Sequence, residues 1–306
     1  MGASACLGYA VGRVLTCVLV LALAGCTGSS PAAGTRTRST PSSELVVPST
    51  VSPTPSAQPI QSSGPPASSA QTAALFVPGP DGLPAVVDAG PRDSPRVALT
   101  FDADMTPLML RRLDTGEVAS YYNEALIEEL RRLRVPATLF LTGLWMQRYP
   151  DVTRQLAADP LFELGTHTWQ HRAFTADCYG LAQVPASEML EEVTQAQQML
   201  DELAGSRATR LFRFPGGCYD EAALRAIAPS GMTVIQFDVA AGDGFQHQPD
   251  AIVRTVLGGV RNGSIVVLHM NGGNTSPRTA DAIGPIVDRL RARGYVLTTV
   301  TGLFSS

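Results

Sequence analysis

The sequence has few histidines, no long apolar run and no excess of positive charge. Only four histidines occur among the 306 residues, so any site that uses imidazole must draw on a small set. The net charge of −4, without a basic stripe, gives no indication of nucleic-acid binding. The apolar run at residues 14–24 is shorter than the about 20 residues that a transmembrane helix needs.

Residues 1–26 have the layout of a secretory signal peptide. A single positive charge, Arg13, precedes the apolar run, and the segment ends in Leu23-Ala-Gly-Cys26. That ending resembles the lipobox of bacterial lipoproteins, which implies cleavage before Cys26 and a diacylglycerol on it. Two acyl chains anchor a protein stably. We therefore expect a lipoprotein on the extracytoplasmic face of the cell membrane; the alternative is an ordinary signal peptide in which Cys26 is incidental.

Residues 27–74 form a segment dominated by Ser, Thr, Pro and Ala, with almost no large apolar side chains. Such a segment cannot bury enough surface to offset its ordering entropy, so we predict a disordered linker. Residues 75–306 remain, which suffices for one domain with a large core. We expect that domain to act as a monomer.

Two cysteines are left once the leader and the lipobox cysteine are set aside. They are Cys178 and Cys218, and each lies beside a motif described below. In an exported protein an even pair can form a disulfide. Because the spacing of two cysteines does not fix the geometry between them, a bridge and two free thiols both remain open.

Seven short β-rich runs alternate with amphipathic segments. The strands are predicted at residues 96–101, 137–142, 161–165, 210–214, 233–239, 264–268 and 295–300. The helices are predicted at residues 121–134, 145–158, 187–204, 220–228, 249–260 and 277–293, with Ser187 capping the third. This alternation predicts a parallel sheet with helical crossovers, one unit short of a (β/α)₈ barrel.

Polar side chains follow the predicted strands where each strand ends, which is where such folds place their chemistry. They are Asp102, Asp104, His167, Arg213, Asp238, Asp243 and His269. Scattered loop residues would not follow this rule. The positions therefore predict an active site at the carboxyl edge of the sheet.

His167 and His171 are four residues apart, which on a helical turn places their Cβ atoms about 5–6 Å apart. Both imidazoles could then ligate one ion, and a catalytic zinc usually has three protein ligands. Asp102 and Asp104 project to one side of a strand, so one can complete the site while the other acts as a base. The alternatives are that the histidines lie on a solvated loop and that Asp104 only caps the next segment.

Five segments resemble, in order, the motifs of the polysaccharide deacetylase family (NodB homology, carbohydrate esterase family 4). They are Thr100-Phe-Asp-Ala-Asp104, His167-Thr-Trp-Gln-His171, Arg213-Phe-Pro-Gly-Gly217, Asp238-Val-Ala-Ala-Gly-Asp243 and Ile265-Val-Val-Leu-His269. The resemblance spans about residues 95–305 and implies a distorted (β/α)₇ barrel, in agreement with the strand count.

The resemblance also implies a metal site and a base. Asp104, His167 and His171 correspond to ligands of a divalent ion, expected to be Zn²⁺, with Co²⁺ or another divalent ion as alternatives. Asp102 corresponds to the general base and Arg213 to the group that orients it.

On the leaving-group side, the resemblance implies that His269 is the general acid, held by Asp238 or Asp243. It places an oxyanion donor at the backbone N–H of Gly216. The residues expected to contact substrate are Pro215, Trp169 and Leu268.

Two departures from the family pattern concern the site. Ala103 separates two aspartates that the family has side by side, so either a local bulge presents Asp104 or only two protein ligands remain. The fourth motif lacks the family's Trp, for which Phe245 is the candidate replacement, and leaves open which aspartate supports His269.

The expected function is removal of N-acetyl groups from a cell-envelope polysaccharide, with peptidoglycan amino sugars favoured by the predicted location. The alternatives are an O-deacetylase, a chitooligosaccharide deacetylase and, from a different class, a non-catalytic wall-binding lipoprotein.

Overall fold

The computed structural model describes Gly79 and residues 81–305. The predicted signal peptide with Cys26, the linker over residues 27–74 and the predicted domain start at residue 75 lie outside these residues. Within the described part of the chain, no helix is both long and apolar enough to cross a bilayer.

Nine strands of the described chain form one parallel sheet. They are β1 (Val86–Val87), β2 (Arg96–Ala103), β3 (Ala137–Leu141), β4 (Phe162–Thr166), β5 (Ala208–Phe212), β6 (Thr233–Ile235), β7 (Val239–Ala240), β8 (Ser264–His269) and β9 (Val296–Thr298). Their order is β1-β6-β5-β4-β3-β2-β8-β7, and β9 also pairs with β2. Only residues 236–238 join β6 to β7, although these strands lie toward opposite ends of the order. The sheet must therefore curl, which confirms the distorted (β/α)₇ barrel.

Strand β2 shows why the two faces of the sheet differ. It is buried from Val97 to Ala103, as expected for a parallel strand covered on both sides. Val97, Leu99 and Phe101 belong to the main apolar core. Because side chains alternate along a strand, Asp102 points to the other face, the interior of the curled sheet.

Eight α-helices cover the sheet in the described residues. They are α1 (Pro107–Asp114), α2 (Glu124–Arg132), α3 (Gly143–Arg148), α4 (Pro150–Ala158), α5 (Met189–Ala204), α6 (Glu221–Ile227), α7 (Pro249–Gly259) and α8 (Thr279–Ala292).

Three helix predictions were wrong in detail. Helix α1 was missed, and the hydroxyl of Thr106, not Asp104, caps it by accepting from the backbone N–H of Met109. The single helix predicted over residues 145–158 is two helices, because Pro150 has no N–H to continue the first. Ser187 lies inside a short 3₁₀ turn, Ala186–Glu188, and does not cap α5.

A disulfide joins Cys178 to Cys218, with 6.0 Å between their Cα atoms. Cys178 lies in the loop between β4 and α5, and Cys218 lies in the loop between β5 and α6. The bridge that the cysteine count left open is therefore formed, and it ties together two loops at the carboxyl edge of the sheet.

We expect Gly165→Ala to lower the free energy of unfolding by about 1–3 kcal/mol. A Cβ at Gly165 in β4 would lie 2.7 Å from the carbonyl oxygen of Leu211 and 2.9 Å from the ring of Phe140. The matched control is Gly258→Ala in α7, where a Cβ meets nothing within 4 Å and alanine favours the helix. Urea unfolding of both variants tests this; equal midpoints would contradict it.

Candidate active site

One cleft at the carboxyl edge of the sheet collects six of the eight ionisable groups predicted from the sequence. Asp102, Asp104, His167, His171, Asp243 and His269 all line it. They come from four different parts of the chain: the end of β2, the loop after β4, the loop after β7 and the end of β8. Gly216, from the loop after β5, also lines the cleft.

Asp104, His167 and His171 present three ligand atoms that lie within 4.8 Å of one another. Asp104 Oδ1 is 3.6 Å from His167 Nε2 and 3.3 Å from His171 Nε2. The centroids of the two imidazole rings are 5.0 Å apart. Two imidazole nitrogens and one carboxylate oxygen form a donor set of the kind that catalytic zinc uses.

The state of these three side chains fits a divalent cation. Asp104 Oδ1 is buried and has no hydrogen-bond partner among the described residues, which is costly for a carboxylate unless a cation compensates it. Burial raises the pKa of Asp104 and lowers the pKa of both histidines to about 4, so both rings are neutral at physiological pH. A neutral imidazole is the form that binds metal.

The orientation of His167 is set by a bond on the far side of its ring. Nδ1 lies 2.8 Å from the backbone carbonyl oxygen of Arg213, which can only accept, so Nδ1 carries the proton. Nε2 of the neutral ring is then free to ligate. Metal-binding histidines are commonly held in this way.

The segment from His167 to His171 is a loop and not the helical turn that the spacing suggested. Thr168 and His171 have positive φ angles of 65° and 58°, which turn the chain back so that both rings face Asp104. Glu192 of α5 holds this loop by accepting from the backbone N–H groups of Trp169 and Gln170, at 3.0 and 3.1 Å.

Asp104 reaches the cleft without a bulge, contrary to the expectation from the inserted Ala103. The pairing of β2 with β3 continues in register to Ala103 and Leu141. Asn271 then holds the backbone of Asp104 from both sides: its Oδ1 accepts from the N–H at 2.9 Å and its Nδ2 donates to the carbonyl at 2.8 Å. Ordinary strand alternation, prolonged by one residue, thus brings Asp104 to the same face as Asp102.

Asp102 is paired with a fully buried guanidinium. Arg213 Nη1 donates to Asp102 Oδ1 at 2.7 Å and to the hydroxyl of Thr100 at 2.8 Å. Burial raises the pKa of the Asp102 carboxyl, but the charge of Arg213 and neighbouring histidines outweighs it and the pKa is lowered. Asp102 is therefore ionised at neutral pH, 3.7 Å from His167 Nε2.

His269 is held by Asp243, which answers the question that the fourth motif left open. His269 Nδ1 lies 2.9 Å from Asp243 Oδ1, and the backbone N–H of His269 donates to Asp243 Oδ2 at 2.8 Å. The hydroxyl of Thr279 donates to the same Oδ2 at 2.6 Å. Burial lowers the pKa of His269, but Asp243 outweighs it and raises that pKa to about 10.

The prediction that Asp238 shares the site is wrong. Its carboxylate accepts from Arg92, from the hydroxyl of Ser264 and from the backbone N–H of Ile265. Ser264 begins β8, so Asp238 braces the opposite end of the strand that carries His269.

The four residues expected to face the substrate differ in position. Gly216 lines the cleft and has a φ of 63°. Pro215 is buried, and Leu268 belongs to the main apolar core. Trp169 packs against the same core, with its ring over Gly143, where a Cβ would lie 1.9 Å away. None of Pro215, Trp169 and Leu268 is among the described residues that line the cleft.

The sequence interpretation missed the residues that support the site: Asn271, Thr279 and Glu192. Asn271 stands two residues after His269, and this closeness to a motif was the one available signal. Thr279 and Glu192 lie on helices far along the chain from the groups they bind. No spacing rule connects them to the site.

Residues 89–235 match the model of the polysaccharide deacetylase family. The chain carries a polysaccharide deacetylase domain. The matched range includes the first three motifs and ends before Asp243 and His269, whose positions the structure supplies.

Relatives of the polysaccharide deacetylase domain include enzymes that act on two kinds of glycan. The chain is 25% identical over 218 residues to a peptidoglycan-N-acetylglucosamine deacetylase of Bacillus cereus, and the aligned segment covers 71% of each protein. It is 26% identical over 216 residues to a chitooligosaccharide deacetylase of Sinorhizobium fredii, and the aligned segment covers 68% of this chain and 91% of the relative. The crystal structure of the Bc1960 peptidoglycan N-acetylglucosamine deacetylase shares the fold, with a TM-score of 0.60 at 24% identity over 72% of this chain and 92% of that chain.

We expect the polysaccharide deacetylase domain to bind one Zn²⁺, and His171→Ala to weaken that binding by a factor on the order of 10² or more, because one of three ligands is lost. The matched control is His247→Ala, since His247 is exposed and outside the cleft. Competition with a chromophoric chelator measures both affinities. Equal affinities for the two variants would show that this triad does not hold the ion.

Proposed function

We propose that the domain removes N-acetyl groups from a cell-envelope polysaccharide, with peptidoglycan amino sugars as the substrate. The observation that carries the proposal is the convergence of three assemblies in one cleft. They are the Asp104–His167–His171 triad, the Arg213–Asp102 pair and the Asp243–His269 pair.

Asp102 acts as the general base in this proposal. A divalent ion held by the triad would supply Lewis acidity and bring the pKa of a bound water from 15.7 toward about 7. Asp102 accepts the proton of the attacking water, and its bond to Arg213 keeps one carboxylate oxygen engaged while the other faces the triad. Arg213 thereby fixes both the charge and the orientation of the base.

His269 acts as the general acid. An amide nitrogen is a poor leaving group unless it is protonated, so collapse of the tetrahedral adduct needs a donor. His269 is protonated at neutral pH because Asp243 holds its Nδ1, and its Nε2 lies 4.0 Å from Asp104 Oδ2, facing the triad. The backbone N–H of Gly216 is the proposed donor to the oxyanion, supported by the place of Gly216 in the cleft lining.

The substrate class is supported by the relatives and by the predicted location. The Bacillus cereus relative is named for peptidoglycan, and a lipobox at Cys26 would place this chain beside the cell wall. The Sinorhizobium fredii relative, named for chitooligosaccharide, supports the second candidate substrate.

The lipid anchor at Cys26 and the location on the extracytoplasmic face of the membrane are part of the proposal. They rest on the signal-peptide layout of residues 1–26 and its ending Leu23-Ala-Gly-Cys26. Expression of Cys26→Ser tests them: the wild-type chain is expected in the membrane fraction and the variant in the soluble fraction. The proposed monomer is tested by light scattering of the purified chain.

Acetate release tests the proposed reaction. We expect release from peptidoglycan in the presence of zinc, loss with chelator, and a fall in kcat by a factor on the order of 10²–10⁴ for His269→Ala. Asp102→Asn is expected to be similarly impaired, whereas Asp238→Asn is expected to keep wild-type kcat because Asp238 is not among the described residues that line the cleft.

Release from chitooligosaccharides but not from peptidoglycan would favour the second candidate. Release from O-acetylated glycan alone would favour an O-deacetylase. A folded, zinc-loaded chain that releases acetate from none of them would support a non-catalytic wall-binding lipoprotein.

The pH profile tests the role of Asp243. Since the protonated form of His269 is the acid, kcat should fall as the pH rises through its pKa of about 10. We expect Asp243→Asn to lower that pKa and to move the alkaline limb to lower pH by at least about one unit. Thr279→Val removes only one bond to Asp243 and should move it less. An alkaline limb that stays in place in Asp243→Asn would contradict this assignment.

A further inference from the structure

The two histidines of the metal triad are held in different ways. His167 is fixed through its ring, because its Nδ1 donates to the backbone carbonyl oxygen of Arg213 at 2.8 Å. The ring of His171 has one ion pair or hydrogen bond among the described residues, between Nε2 and Asp104 Oδ1 at 3.3 Å. A metal-binding histidine usually has a second bond on the far side of its ring. Because His171 has none among the described residues, its position depends on the backbone that carries it.

That backbone is in an unfavourable conformation. Thr168 and His171 have φ angles of 65° and 58°, a region that residues other than glycine rarely adopt. The N–H of His171 donates to the hydroxyl of Thr168 at 3.1 Å, but this bond stays within the loop. Conformations of this kind persist only where the surrounding structure enforces them. The enforcing contacts must therefore come from other elements.

Helix α3 holds the carbonyl groups of the loop. The N–H groups of Gly143 and Leu144, at the start of α3, donate to the carbonyl oxygens of Thr168 and Trp169, each at 2.9 Å. Backbone atoms alone make these bonds, so they do not depend on the identity of a side chain.

Glu192 of α5 holds the N–H groups of the same loop. Its Oε2 accepts from the backbone N–H groups of Trp169 and Gln170, at 3.0 and 3.1 Å. Its Oε1 accepts from the side-chain amide of Gln170 at 2.8 Å. The two backbone bonds lie directly before His171 in the chain, and a single side chain provides both.

The stability of α5 gives no reason for a glutamate at this position. Glu192 is only 4% exposed, and its buried neighbours on the helix include Met189, Val193 and Ala196, which are apolar. Its one ion pair among the described residues is with Arg172 Nη1 at 3.7 Å, which is beyond hydrogen-bond distance. Burying a carboxylate is costly unless it is paired and hydrogen-bonded. The partners that compensate this burial are the groups of the histidine loop.

We propose that Glu192 is a positioning residue for His171 and thereby sets the affinity of the triad for its divalent ion. The inference rests on the metal role that the proposed function gives to the triad, and it does not depend on the identity of the substrate. Glu192 is not among the described residues that line the cleft, so it acts through the loop. By holding the two preceding N–H groups, it keeps His171 where Nε2 faces Asp104.

The zinc affinity of the full chain, measured by competition with a chromophoric chelator, tests this proposal. We expect Glu192→Ala to weaken zinc binding by a factor on the order of 10–100, because the loop loses both backbone bonds. Glu192→Gln should lose far less affinity, because its amide oxygen can accept the same two bonds and the amide of Gln170 can turn to match it.

The matched control is Gln197→Ala on the same helix. Gln197 is also 4% exposed and also binds a backbone group, donating to the carbonyl oxygen of Thr209 at 3.0 Å. It has no bond to the histidine loop. We expect Gln197→Ala to lower the melting temperature of the zinc-free chain and to leave its zinc affinity at the wild-type value. Equal losses of zinc affinity in Glu192→Ala and Gln197→Ala, or no loss in Glu192→Ala, would overturn the proposal.

A spectroscopic measurement separates positioning from general stability. The visible absorption of the Co²⁺-loaded chain reports the arrangement of the ligands around the ion. We expect this spectrum to change in Glu192→Ala and to remain as in the wild type in Gln197→Ala. An unchanged spectrum in Glu192→Ala would contradict a displaced His171.

Both measurements are made without substrate, so they separate this proposal from the proposed reaction. A wild-type chain that binds zinc but releases no acetate would overturn the proposed reaction, while weaker zinc binding by Glu192→Ala would still support the role of Glu192. A wild-type chain that binds no zinc would overturn both.

Discussion

The buried guanidinium of Arg213 is the interaction on which the rest of the site depends. It binds the Asp102 carboxylate and Thr100 of β2, and the carbonyl oxygens of Ile235 and Gln236 at the end of β6. Its Cζ lies 4.2 Å from the ring centroid of Phe140 on β3. Its own backbone carbonyl accepts from His167. A charge buried this deeply must be fully paired, and here the pairing fixes the proposed base, a proposed metal ligand and the contact between β2 and β6 together.

Around that pair, burial and neighbouring charges give each ionisable group a different protonation state. Arg213 keeps Asp102 charged, while Asp104, at the next position on the same face, has an unpaired oxygen and a raised pKa. Burial keeps His167 neutral, while Asp243 keeps His269 protonated. Titratable groups whose pKa values are pushed apart by their surroundings mark acid and base assignments. The directions of these pKa shifts support Asp102 as the base, Asp104 and His167 as ligands, and His269 as the acid.

Most strand positions and the cleft could be predicted because periodicity and the carboxyl-edge rule depend only on local sequence. Strand β1 was missed, and the single strand predicted at residues 233–239 is two strands, β6 and β7. The choice between Asp238 and Asp243 could not, because it depends on which end of β8 each carboxylate reaches. Trp169 was expected to contact substrate because it lies within the histidine motif, whereas Gly143, distant in sequence, leaves room for its ring against the core. The cysteine count allowed a Cys178–Cys218 bridge, but only the folded loops bring the two sulfurs together. In each case the missing information is a contact between segments far apart in the chain.

The inserted Ala103 shows how a departure from a motif can be absorbed by regular structure. Adjacent strand residues point to opposite faces, so two adjacent carboxylates need distorted backbone to meet at one site. With one residue between them, Asp102 and Asp104 share a face while β2 stays in register with β3. The cost is that Asp104 lies just beyond the strand, where Asn271 supplies the two backbone bonds that a neighbouring strand would have made. Because the proposed third ligand still reaches the cleft, the inserted Ala103 does not argue for a non-catalytic protein.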